Sequence, residues 1–389
     1  MKNNALFQDA SLEIKEVGIV RDVKRGIVKI DGLPSCLYGQ RVEFPDADMK
    51  CVFVDFSEKE VMAFVLGDEK RIKVGSSVSG RNDIFAVPVG EGLLGRVVNA
   101  AGEPIDDKNL RLSASGFLPV FRRAPSVLDR LPISEQLFTG TRIIDTIIPI
   151  GKGQRELIIG DRQTGKTTLA LDAIINQKGR DVVCVYCWIG GAHASLVKAS
   201  ATLQAAGAMA HTIVVAASAS ASSGEQYLAP YAAAAMGEYF MNKGRDVLVV
   251  FDDLTKHAWI YRELSLLLER SPGREAYPGD IFYLHSQLME RAGRLHPSLG
   301  SGSMSFLPIV ETLQGDITGF IQSNLISMTD GQIYLSAALF HEGFKPAIDL
   351  GLSVSRIGNK VQSEALREVS DTLRLDYAQY KELLRLMRV

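Results

Sequence analysis

No stretch of this 389-residue chain is apolar for long enough to form a membrane-spanning helix. Its apolar runs, such as Val247–Phe251, fall far short of the ~20 residues a span needs. Membrane contact is therefore expected only through partners. Cysteine is scarce: four residues are too few for a disulfide scaffold and point to a reducing compartment. Cys184 and Cys187 have C-x-x-C spacing, but they lie in the strand-like run Val182–Trp188, where residues three apart face opposite ways. With no second Cys or His pair nearby to complete a zinc site, core packing is their expected role. No block of basic residues stands out either. Lys and Arg number 43 against 45 Asp and Glu, for a net charge of −2, which leaves no track for a nucleic-acid backbone. Residues Met1–Asp9 show neither an apolar signal core nor an Arg-rich, acid-free presequence.

The chain does carry one full phosphate-binding loop: Gly160-Asp161-Arg162-Gln163-Thr164-Gly165-Lys166-Thr167, the pattern G-x-x-x-x-G-K-T, followed by Thr168. The glycines let backbone N–H groups curl round a phosphate chain. Lys166 brings positive charge to the outer phosphates, and Thr167 offers a hydroxyl to Mg²⁺. The apolar run Leu157-Ile158-Ile159 enters the loop and a helical run, Thr167 to Gln177, leaves it, so a helix N-terminus adds its dipole to the anion site. A second apolar run, Val247–Phe251, ends in Asp252 and Asp253. A carboxylate at a strand end beside a phosphate loop is a metal contact. Asp252 is assigned with Thr167 to the Mg²⁺ shell, partly through water, and Asp253 is a candidate to support it.

Length predicts two or three domains. Residues 1–80 form the first: from residue 14, short β-rich runs such as Gly26–Ile30 and Val52–Phe56 alternate with turn residues, the signature of a small β-barrel. Residues 81–362 form the second. Apolar runs at Leu157–Ile159, Val182–Trp188, Thr212–Ala216, Val247–Phe251 and Phe306–Val310 are separated by helical stretches, which predicts an α/β domain with a mainly parallel, buried sheet. The Ala/Ser-rich segment Ala216–Ser223 reads as a strand end entering a loop, with helix resuming at Glu225. Residues 363–389 are charged and helical, the start of a C-terminal helical domain.

The phosphate loop with the preceding Ile150–Glu156 resembles the α subunits of F-type ATP synthases. So do Gly92–Asn99, Gln226–Tyr231, Pro272–Asp280 and Ser353-Val354-Ser355-Arg356-Ile357-Gly358. The similarity runs from about Val17 to the end of the chain. The Arg162-Gln163 pair is absent from the loop of the catalytic β subunits. The resemblance implies a β-barrel crown, a central P-loop NTPase domain, and an alternating ring of three α-type and three catalytic β-type subunits around a γ-type rotating shaft. It implies that the chain binds Mg²⁺ with ATP or ADP at a non-catalytic site, and that Arg356 reaches into the neighbouring catalytic site. It also implies that Lys345 and Pro346 flank the adenine. The family usually has Arg before that proline; Lys keeps the charge and loses the flat stacking surface. The implied location is peripheral, on the cytoplasmic face of a bacterial inner membrane or its organellar equivalent.

Two departures stand out. Catalytic relatives end the strand after the phosphate-loop helix with a water-polarising Glu, whereas this chain reads Cys187-Trp188-Ile189-Gly190-Gly191-Ala192-His193 with no carboxylate. The family α subunit has Gln at the position of Gly191 and basic residues at those of Ala192 and His193. Loss of a positioned base costs roughly 10²–10⁴ in rate, so the chain is expected to bind nucleotide better than it turns it over. Both ends are also short of the family's length, which fits a fragment, a truncated gene or a divergent paralogue. The rival functions are a stand-alone hexameric ATPase of the secretion-motor or ring-helicase kind, which must carry its own carboxylate after 182–188, and an assembly paralogue without nucleotide, against which the intact loop argues.

Overall fold

The computed structural model describes residues 16–45, 49–56, 60–107 and 112–387; the N-terminal residues read above for signal sequences lie outside them. The chain divides into two compact units after Phe85.

The first is a closed antiparallel barrel of β1 (Val17–Lys24), β2 (Ile27–Asp31), β3 (Gln40–Phe44), β4 (Met49–Phe56), β5 (Val61–Leu66) and β6 (Ser77–Ile84), in the order β1-β2-β5-β4-β3-β6. Period-2 alternation turns Val20, Val28, Ile30, Val42, Cys51, Ala63, Val65 and Val78 inward to one core. The β1–β2 hairpin closes on Arg25-Gly26, both with positive φ (48° and 80°), the mirror-type turn that matches strand twist. Closure leaves the barrel without a free edge for another chain to pair with.

The second unit is built on a mainly parallel sheet. Its strands are β7 (Val97–Val98), β8 (Glu156–Gly160), β9 (Val182–Ile189), β10 (Thr212–Ala217), β11 (Asp246–Asp252), β12 (Gly293–Leu295), β13 (Ser303–Glu311), β14 (Gly331–Leu335) and β15 (Val354–Ser355). The order is β15-β14-β8-β13-β11-β9-β10-β7, with β15 antiparallel on β14 and β12 antiparallel on β13. β9 is apolar along its whole length because both its faces are covered, and every one of its residues is buried. On one face, α1 (Lys166–Ile175) and α2 (His193–Ala205) pack Leu169, Ala170, Ala173, Ile174, Leu196 and Leu203 against Cys184, Tyr186, Val214, Leu248 and Val250. On the other lies α3 (Ser223–Asn242), which packs on β9, β10 and β11. It starts at Ser223, ahead of the Glu225 read from sequence, because Ser222 and Glu225 form a reciprocal capping box. Further helices include α4 (Leu254–Leu267), α5 (Ile281–Met289), α6 (Phe320–Met328) and the C-terminal α7 (Glu364–Met387).

Cys184 and Cys187 are buried free thiols of β9, and burial pushes both thiols well above their ordinary range. No described helix is long and apolar enough to cross a membrane.

Two buried histidines lie between α3, α4, α5 and α6. The His257 and His285 rings stand 5.7 Å apart. His257 Nε2 donates to the Tyr227 carbonyl at 3.0 Å. Burial pushes His257 down to about 4 and His285 down to about 3. Both therefore stay neutral in the fold at pH values where the unfolded chain takes up protons. Their stabilising contribution is complete above pH 6.5 and is lost as pH falls towards 4, by about 1.4 kcal/mol per pH unit for each ring. Buried carboxylates with raised pKa work the other way, so the readout is a difference. Between pH 6.5 and 4.5, His285→Phe is expected to lose stability less steeply than the wild type, measured by denaturant midpoints across pH. Equal slopes would contradict the assignment.

Candidate functional site

The phosphate loop joins β8 to α1. Gly160 closes β8 where a Cβ would stand 2.4 Å from the Leu335 carbonyl of β14, so only glycine lets the two strands pair here. Gly165 caps α1 with φ of +99°, a left-handed conformation that suits glycine. The loop is tied down by its own polar groups. Thr164 Oγ1 donates to the Asp161 carbonyl at 2.8 Å, and Asp161 Oδ1 accepts from Thr312 Oγ1 at 2.6 Å and from the Gly315 N–H at 2.9 Å. Arg162 and Gln163 are exposed, with Arg162 paired to Glu311 at 3.0 Å. Thr168 lies exposed on the first turn of α1.

Lys166 is buried and folds back over the loop, donating from Nζ to the carbonyls of Gly160 (2.8 Å) and Asp161 (2.6 Å). Burial pushes its pKa down, while Glu311, Asp253, Asp252 and Asp161 hold the charge on it. Thr167 Oγ1 donates to Asp252 Oδ2 at 2.8 Å. The same oxygen accepts from Tyr186 OH at 3.0 Å. Burial raises the pKa of Asp252, opposed by those two hydrogen bonds. Asp253 is equally buried and is pushed up to about 6, with Lys256 the main opposing charge. Its carboxylate caps α4 at the Lys256 N–H (2.8 Å) and pairs with Lys256 Nζ (3.2 Å).

The sequence-predicted loop residues and Asp252 are thus brought together. Thr167 and Asp252 present hard oxygens 2.8 Å apart beside a buried ammonium, and that donor set suits Mg²⁺. No described group of three or more His, Cys, Asp or Glu is placed to hold a metal ion. Mg²⁺ carried on nucleotide phosphates does not need one, since it keeps its waters and takes one or two protein ligands.

Lys345 and Pro346 are exposed beyond the helix Ala337–His341 that follows β14, shortly before the chain returns to pair Ile348 with Leu335. Leu335 is also the partner of Gly160, so this segment shares the loop's edge of the sheet. Lys345 Nζ sits 5.3 Å above the Phe340 ring.

Arg356 is not with them. Ser355 pairs with Gly331, and Gly331 pairs with Glu156 at the opposite end of β8 from Gly160. At ~3.3 Å per residue, the five residues of β8 put that end ~13 Å from the loop. Arg356 is exposed, and among the described residues its guanidinium has no hydrogen-bonding or ion-pair partner. Its backbone is fixed: the Arg356 N–H donates to the Asp330 carbonyl at 2.8 Å. Ser355 Oγ donates to the Pro149 carbonyl (2.8 Å) and accepts from Gln154 Nε2 (3.3 Å) and the Gly358 N–H (3.2 Å). Gln154 also donates to buried Glu156 at 2.7 Å. Burial pushes the Glu156 carboxyl well up, assisted by Asp330 and opposed by the Arg356 charge and the Gln154 hydrogen bond.

Sequence reasoning missed Tyr186, Lys256 and Glu311. A lone tyrosine hydroxyl inside the apolar run 182–188 is the one signal that pointed to the first.

At the end of β9, Gly190, Gly191, Ala192 and His193 present no carboxylate beside Asp252, although β9 pairs with β11 as far as Trp188 and Asp252. His193 is exposed on the first turn of α2.

Residues 140–355 match the model of the ATP synthase alpha/beta family, nucleotide-binding domain. The chain is 50% identical over 374 residues to ATP synthase subunit alpha of Dehalococcoides mccartyi, covering 96% of this chain and 74% of that protein. The corresponding protein of Petrotoga mobilis is 52% identical, with 95% and 74% covered. That of Clostridium botulinum is 51% identical, with 96% and 74% covered.

Proposed function

The chain belongs to the ATP synthase alpha/beta family, and we propose that it is a non-catalytic, nucleotide-binding α-type subunit of a rotary F-type ATP synthase. It binds ATP or ADP with Mg²⁺ through the 160–167 loop, Thr168 and Asp252. Catalytic β-type subunits alternate with it in a hexameric ring round a γ-type shaft, and Arg356 serves the neighbour's site. The whole lies peripherally on the cytoplasmic face of a bacterial inner membrane, held there by the complex.

One observation carries this reading: the chain's phosphate loop and its exposed arginine stand at opposite ends of the same sheet. The guanidinium does not reach the chain's own phosphates, so the charge it would neutralise lies on another subunit. The loop side adds the second half. Lys166, Thr167 and Asp252 suit binding, while the end of β9 supplies no group to take a proton from water. When bound, the metal would neutralise phosphate charge; this chain's part is to hold, orient and shield.

Co-expression with a catalytic-type subunit tests the assignment. A mixed ring whose ATPase needs both chains is expected. A ring of this chain alone with sustained turnover would establish the stand-alone motor instead. Within the mixed ring, Gln154→Leu removes one of the bonds fixing Ser355. It is expected to lower kcat by up to about 10²-fold, the size of effect an ångström of misplacement produces. The affinity of this chain's own site and the KM of the ring should change little, as steady-state kinetics beside direct nucleotide titration would reveal.

A further inference from the structure

Position 191 is empty of side chain for a reason visible in its surroundings. A Cβ at Gly191 would stand 2.1 Å from Trp188 Cζ2, 2.5 Å from Cε2 and 2.9 Å from Nε1. The φ of Gly191 is not in the left-handed region, so its backbone would accept a side chain. The obstacle is the indole. Trp188 is 6% exposed and pairs in register with Asp252 on one side and Ala216 on the other. Lys256 Nζ lies 5.5 Å over its ring while pairing with Asp253 at 3.2 Å, which clamps the ring beside the buried carboxylates. Its one polar atom, Nε1, is buried without an acceptor among the described residues. An N–H is a donor and cannot take a proton from water.

We propose that Trp188 occupies the space of the missing side chain at 191, and that this ring, together with the absent carboxylate, keeps the site from hydrolysing nucleotide. The inference rests on the proposed Mg-nucleotide site. It makes Trp188 a residue that determines what the site does with its ligand, and it makes Trp188 and Gly191 one unit. Hydrolysis forms a bond from a water oxygen to the terminal phosphorus and breaks the bond to the leaving phosphate oxygen. The water must be oriented and its proton taken up by a positioned base, and the indole fills the place from which a carboxylate at 191 would reach.

Four proteins test this: wild type, Gly191→Glu, Trp188→Ala and the double variant, each titrated with Mg-ATP and assayed for multiple turnover. Gly191→Glu alone is expected to melt several degrees lower and to stay non-hydrolytic, with the Trp188 emission, read in a Trp259→Phe background, shifted towards that of an exposed indole. Trp188→Ala opens the space without supplying a base and stays non-hydrolytic. The double variant is expected to regain the melting temperature lost by Gly191→Glu and to turn over at least about 10²-fold faster than wild type. Gly191→Ala gives a milder check, lowering the melting temperature in the wild type but not in Trp188→Ala. The proposal is overturned if Gly191→Glu or Gly191→Ala keeps the wild-type melting temperature and indole emission. It is equally overturned if a folded, Mg-ATP-binding double variant hydrolyses no faster than wild type. A wild type that does not bind Mg-ATP would instead overturn the nucleotide-site assignment itself.

Discussion

Arg356→Ala is expected to leave the chain's own nucleotide affinity almost unchanged and to lower turnover of the mixed ring by about 10³–10⁵-fold, the range for arginines acting from a neighbouring subunit. The first half follows from position: Arg356 is at the Glu156 end of β8 and the phosphate loop is at the Gly160 end. The second follows from chemistry, because a guanidinium neutralises charge that develops on the transferring phosphoryl group. The loss should fall on kcat more than on substrate binding, since that charge appears in the transition state. Arg356→Lys should recover little, because a point charge does not reproduce the planar fork. Its backbone is held by Asp330 and by the hydrogen bonds around Ser355, so the substitution should not disturb the fold. Size-exclusion analysis of the assembled variant separates failed assembly from failed catalysis. Wild-type turnover in an intact Arg356→Ala ring would remove the arginine from the catalytic account.

Lys166→Ala is expected to weaken Mg-ATP binding by about 10–100-fold, the value of one charge-assisted hydrogen bond. The ammonium is buried and already desolvated, with four carboxylates acting on it. It is therefore preorganised for an anion, and its removal leaves Lys256 as the neutralising neighbour of Asp252 and Asp253. Thr167→Val is the companion. It keeps the shape of the helix start, removes the hydroxyl that bonds Asp252, and should abolish the gain in affinity that Mg²⁺ gives. Calorimetric titration of the three proteins with ATP, with and without Mg²⁺, reads both effects. Unchanged affinity in Lys166→Ala would mean that the loop is not the binding site.

Much of this was legible in the chain because it is local. The loop is eight consecutive residues between a strand and a helix, with glycine at 160 where Leu335 approaches and at 165 where the backbone is left-handed; Gln163 takes a positive φ (63°) as well, which its residue type does not signal. The barrel strands announce themselves by period-2 alternation, and the buried strands by continuous apolar runs. Asp252 was legible as the end of one such run. Tyr186, Lys256 and Glu311 were not, because they reach the site from three other elements, and their convergence depends on the strand order set by the crossovers. The same holds for Arg356. A motif places it in the chain, but only the antiparallel pairing of β15 on β14 shows which end of the sheet it occupies. Trp188 was invisible as a functional residue, since an aromatic in an apolar strand reads as core. The glycine three residues later gains its meaning only from the distance to that ring.

In the proposed function this chain holds nucleotide and leaves the chemistry to a neighbour. The most direct measurement is the state of nucleotide retained by the isolated chain. The purified protein is loaded with γ-labelled Mg-ATP, stripped of free ligand, and sampled over many turnovers of a catalytic ring. Bound nucleotide is expected to be recovered as intact ATP in the wild type, and the retained label is expected to be lost in Lys166→Ala. Release of the retained label as free phosphate within that time, dependent on Lys166, would show that the site is itself catalytic.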